Sequence, residues 1–91
     1  MLLKWTRDIE ENLKQFIKEH FQVEFAELTV ETPPRSEFGD LAFPFPFELA
    51  KIIRKSPQEI AAEVQENIQN PPHVGKIIAK GGYVNVFFKR V

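Results

Sequence analysis

Cysteine is absent and methionine occurs once in these 91 residues, which excludes disulfides, thiolate metal centres and thiol chemistry and suits a reducing compartment. Histidine is nearly absent too. His20 and His73 each lack a recognisable partner, so neither a metal-ligand cluster nor a nucleophile–base pair can be assembled around them. Neither GxxxxGK[ST] nor GxGxxG occurs, which removes the common phosphate loops. No apolar run approaches the roughly 20 residues of a membrane span, and the N-terminus turns acidic and amphipathic where a signal peptide would stay apolar. The acids Asp8, Glu10, Glu11 and Glu19 fall on the solvated side of a helical pattern. A cytoplasmic chain away from membranes is expected, with no catalytic residue, no metal and no cofactor of its own.

A hydrophobic fraction of 43% with nine Phe is globular composition, and a chain of this length, without repeats, has room for one core. The net charge of −1 conceals an asymmetry. Residues 1–48 hold ten acids and five bases, whereas residues 49–91 hold three acids and seven bases. A basic half of this kind suits an anionic partner, because nucleic-acid affinity rests largely on phosphate neutralisation.

Trp5, Ile9, Leu13, Phe16 and Ile17 recur at helical spacing up to about His20, which predicts an amphipathic helix. Leu28 and Val30 alternate with Thr29 and Glu31, predicting a short strand over 26–32 that Pro33-Pro34 ends. A loop follows. A second short strand is expected over Phe38–Ala42, with Asp40 in a turn or capping role. The Phe-Pro alternation of 43–47 is compatible with a helix beginning at Pro44, since the first turn needs no N–H from its prolines. Phe45, Leu49, Ile52 and Ile53 would form its buried stripe. Ser56-Pro57-Gln58-Glu59 is a capping box opening another helix, with Ile60, Ala61, Val64 and Ile68 inward, stopped by Asn70-Pro71-Pro72.

From about Val74, two runs rich in Val, Ile, Phe and Tyr flank Gly81-Gly82, the signature of a β-hairpin with a two-residue turn. The turn fixes the register: Lys80 opposite Tyr83, Ile78 opposite Asn85, Lys76 opposite Phe87. Those six and Lys89 share one face, and Ile77, Ala79, Val84, Val86 and Phe88 take the other. The second set is apolar and belongs to the core. The first is the candidate contact surface. Together the elements predict an α+β fold, a four-stranded antiparallel sheet with three helices covering one face.

Four stretches in order resemble a known family: Gly39-Asp40-Leu41-Ala42, Leu49-Ala50-Lys51, Pro57-Gln58-Glu59-Ile60-Ala61 and Gly82-Tyr83-Val84-Asn85-Val86-Phe87. They are similar to motifs of the N-terminal additional domain of arginyl-tRNA synthetases. The sequence departs from that pattern at Gly81, where a proline is common, and in the Phe-Pro alternation, where polar residues are usual. The resemblance implies a single domain over 1–91 that binds the D-loop corner of arginine tRNA and carries no catalysis. An aromatic and an amide residue on its last strand would contact a base, which here means Tyr83 and Asn85. Lys76, Lys80 and Lys89 lie on the same predicted face, available for phosphates, with Arg35 a further candidate. The resemblance also implies that the catalytic and anticodon-binding domains lie outside this chain. ATP and magnesium would serve the full enzyme, the partners would be tRNA and the rest of the synthetase, and the isolated domain would be a monomer. The residues alone leave a second reading open: a protein-interaction module using Ile78, Tyr83 and Phe87 for domain packing or self-association.

Overall fold

The computed structural model describes residues 2–34, 37 and 39–89. Its elements are α1 (Leu2–Phe21), β1 (Leu41–Phe43), α2 (Phe45–Ile53), α3 (Pro57–Asn67), β2 (Val74–Lys80) and β3 (Tyr83–Phe88). The strands form one antiparallel sheet in the order β1-β3-β2.

The α+β class and the three helices stand, but the sheet has three strands where four were expected. The strand predicted over 26–32 contracts to a single bridge between Glu31 and Ala42. Its backbone groups are engaged elsewhere: the Leu28 N–H donates to Glu10 Oε2 at 3.0 Å, and Lys14 Nζ donates to the Ala26 carbonyl at 3.1 Å. These bonds tie the segment to α1, while the register through Glu31 and Ala42 sets Thr29 opposite Pro44 and Pro33 opposite Asp40, where neither proline has an N–H with which to continue the ladder. The second short strand is displaced, running over Leu41–Phe43; Phe38, where it was predicted to begin, lies outside the described residues.

Register in the hairpin agrees with the turn chemistry, pairing Lys80 with Tyr83, Ile78 with Asn85 and Lys76 with Phe87. A bulge at Gly75 then shifts the ladder so that Val74 pairs with Phe88. An extra residue in one strand inverts the alternation beyond it, which explains how Val74 reaches the core side at 1% exposure. Ile77, Val84, Val86 and Phe88 of the hairpin and Leu41 and Phe43 of β1 face the helices. Against them pack Ile9, Leu13 and Ile17 of α1, Phe45 and Leu49 of α2, and Ile60, Ala61 and Val64 of α3. Trp5 stacks on His73 at 5.4 Å and meets Phe88 at 5.3 Å, closing one end of the core.

Pro46 lies in the first turn of α2, where its missing N–H costs no helical bond. Arg54 ends that helix in the left-handed conformation. Ile52, expected in its buried stripe, is 55% exposed. The buried arc runs through Phe45, Pro46 and Leu49 with Ile53 beside it, so Ile52 falls at its margin. Ser56 Oγ accepts from the Glu59 N–H at 3.2 Å, forming that half of the capping box. At the outer edge of β2, Gln65 Oε1 accepts from the Ala79 N–H at 2.6 Å and Asn70 Nδ2 donates to the Gly75 carbonyl at 3.4 Å.

Glu63 of α3 ties the helices together, with Lys55 Nζ at 2.7 Å and His20 Nε2 at 3.1 Å. The hydrogen bond from Lys55, then that from His20, holds the Glu63 carboxyl below the ordinary carboxylate range. A lowered folded-state value means stability that is present above the unfolded-state value and lost as pH falls through the lowered one. Glu63→Gln is therefore expected to flatten the acid limb of stability against pH, with a cost at neutral pH under about 1 kcal/mol because the site is partly solvated. Denaturant titrations at several pH values check this.

Candidate nucleic-acid interface

Opposite residues of an antiparallel ladder share a face, so the side of the sheet away from the helices carries Ala42, Asn85 and Ile78 in one row, with Lys80 and Tyr83 beside it. A groove of about 280 Å3 lies over this row, lined by Glu31, Pro33, Pro34, Ala42, Lys80, Tyr83 and Asn85. Ala42 and Asn85 are 6% and 7% exposed. Asn85 is thus a recessed floor residue, whereas the sequence placed it on an open surface. Among the described residues its amide makes no side-chain hydrogen bond, although an amide offers both donors and an acceptor.

Tyr83 is half-buried, and its ring meets Phe47 edge to face, with centroids 5.4 Å apart and planes at 70°. Phe47 projects from the first turn of α2 and is 38% exposed. It rests against the turn because Gly82 has no side chain there. A Cβ on Gly82 would lie 2.8 Å from Phe47 Cζ and 3.0 Å from Pro57 Cβ.

The other predicted residues spread along the sheet. Lys80 is exposed at the groove. Lys76 is exposed on the same side, but its ammonium sits 4.6 Å from the centre of the Phe87 ring, away from the groove. Lys89 follows β3, its N–H bonded to the His73 carbonyl, with its side chain beside Gly75 at the far end of the hairpin. Arg35 lies outside the described residues. Pro33, Pro34, Ala42 and Phe47 were not read as site residues; only the Phe-Pro alternation marked one of them as unusual.

The Gly-Asp pair has a structural task just before β1. Gly39 takes φ +103°, and a Cβ there would lie 3.0 Å from the Val86 carbonyl oxygen. Asp40 then donates its N–H to that carbonyl at 2.8 Å, and its carboxylate accepts from the Phe88 N–H at 2.9 Å. The side chain thus continues, where β1 has not yet begun, the pairing that holds β3 in place.

A family model described as the arginyl tRNA synthetase N terminal domain matches residues 5–88. The chain belongs to this family. As an arginyl-tRNA synthetase N-terminal domain it is 43% identical over 72 residues to the arginine–tRNA ligase of Clostridioides difficile, a match spanning 79% of the chain and 12% of that ligase. It is 41% identical over 86 residues to the Clostridium perfringens ligase, spanning 92% of the chain and 15% of the relative. The Thermus thermophilus arginyl-tRNA synthetase structure superposes with a TM-score of 0.80 at 36% identity, over 91% of the chain and 14% of that structure. The domain therefore spans about one-seventh of the length of these relatives. No cluster of three or more His, Cys, Asp or Glu that could hold a metal occurs among the described residues, nor any helix long and apolar enough to cross a membrane.

Proposed function

We propose that this domain binds the D-loop corner of arginine tRNA, with the groove over Ala42 and Asn85 receiving one looped-out base. The observation that carries the reading is the recessed Asn85 amide, without a side-chain partner among the described residues, beside a braced tyrosine at the groove. Single-stranded loops are read in this way, by stacking on an aromatic ring and by hydrogen bonds to a base edge. Tyr83 supplies the ring, Asn85 the donor and acceptor, and Lys80 a cation at the groove; Lys76 and Lys89 extend positive charge along the sheet. In the full synthetase the domain would orient tRNA, while ATP- and magnesium-dependent attachment of arginine would proceed elsewhere in the protein. The domain itself is read as a monomer with no cofactor.

Tyr83→Ala is expected to weaken binding to arginine tRNA by about 1–2 kcal/mol, roughly five- to thirtyfold, within the range of one base–aromatic stack. Lys80→Ala is expected to lower the slope of log affinity against log salt by about one, the signature of one lost phosphate contact. Binding measured by fluorescence titration at several salt concentrations checks both. Unchanged affinity and slope in both variants, or salt-insensitive self-association with no response to tRNA, would remove the groove from RNA recognition.

A further inference from the structure

Among the described residues, Glu31 is joined to the sheet by its bridge to Ala42 alone, a reciprocal pair of backbone bonds at 2.8 Å each. That bridge has a consequence for its side chain. Residues opposite one another across an antiparallel pair point to the same side, so Glu31 extends the row Ala42–Asn85–Ile78 by one position. Its exposed side chain lines the groove across Ala42 from the Asn85 amide, and Ala42 contributes only a methyl group between them. The groove therefore has a small apolar floor between two polar groups of different character. Asn85 donates and accepts; a carboxylate only accepts.

A carboxylate at an RNA surface opposes phosphate binding, so its presence here calls for a donor on the ligand. We propose that Glu31 is a specificity-determining residue, selecting at this position a base with an exocyclic amino group on the edge it presents. Adenine, cytosine and guanine each carry such a group, and uracil has none. Uracil presents a carbonyl oxygen at the equivalent position, which a carboxylate repels. Discrimination is divided between the two walls: Asn85 fixes one edge of the base, and Glu31 rejects the keto form at the other. The assignment rests on the groove being the base-binding site.

The test uses this chain and arginine-tRNA transcripts carrying either adenine or uracil at each unpaired D-loop position in turn, with binding measured at low salt. At one position adenine is expected to outbind uracil by about tenfold, the lower end of what a directed base contact confers. Glu31→Gln, which adds a donor without changing size, is expected to reduce that preference to about threefold or less by binding the uracil transcript more tightly. Its thermal midpoint should be unchanged, since only the backbone of Glu31 joins the sheet. An equal preference in Glu31→Gln and the natural chain overturns the assignment. Tyr83→Ala, run in parallel, separates the role of Glu31 from that of the groove. If it weakens binding while the preference survives Glu31→Gln, only the role of Glu31 falls. If neither Tyr83→Ala nor any D-loop change alters affinity, the groove is not the site and the role of Glu31 falls with it.

Discussion

Gly82→Ala is expected to destabilise the domain by about 2–4 kcal/mol, combining left-handed backbone strain with overpacking. Two observations set this. Gly82 holds φ +89°, a conformation that L side chains rarely adopt, and an added methyl would meet Phe47 at 2.8 Å and Pro57 at 3.0 Å. Relief by moving Phe47 would also withdraw the ring that supports Tyr83. The neighbouring residue separates strain from crowding. Gly81 has φ +58° and nothing within 4 Å of a notional Cβ, so Gly81→Ala should cost only about 1–2 kcal/mol, the left-handed penalty alone. Chemical denaturation of the two variants measures the difference. Equal costs would mean that Phe47 does not press on the turn.

The second large effect is expected at Asp40. Asp40→Ala removes the carboxylate that accepts from the Phe88 N–H and leaves a partly buried donor without that partner, at a cost of about 1.5–3 kcal/mol. Asp40→Asn keeps a carbonyl oxygen of the same reach and should recover much of the loss. Because this bond fixes the end of β3 far from Tyr83, Asp40→Ala should lower the thermal midpoint with little change in tRNA affinity well below that midpoint. The combination distinguishes a scaffold residue from an RNA contact, although both lie in motifs shared with the same family.

The hairpin was legible because its information is local. A two-residue glycine turn fixes which residues oppose one another, and alternation then assigns Tyr83, Asn85 and Lys80 to one face. The Ser56 cap was legible for the same reason: donor and acceptor lie three residues apart. The groove was not. Its walls depend on β1 pairing with β3, and Glu31 with Ala42, across connections that no tight turn pins. Pro33 and Pro34 were read as punctuation ending a strand, and they do stop pairing there, but they also line the groove. Phe47 was counted within an odd Phe-Pro alternation, whereas its position against Gly82 and Tyr83 emerges only when α2 packs beside the turn. The missing fourth strand has a similar origin. Leu28 and Val30 do alternate with polar residues, but the register through Glu31 and Ala42 sets Thr29 opposite Pro44, which has no N–H to pair, and that opposition exists only once β1 is placed.

The Gln65 and Asn70 side chains along β2 have a consequence for assembly. By occupying the Ala79 N–H and the Gly75 carbonyl, they plug points at which another extended polypeptide could graft onto the sheet, and Glu31 occupies the corresponding rim of β1. Natural sheets guard exposed margins against such grafting, which otherwise seeds swapped dimers and fibrils. Here the guards are single amides on α3 and the turn after it, and because Ile60, Ala61 and Val64 of the same helix lie in the core, loosening α3 would unmask the margin and open the core together.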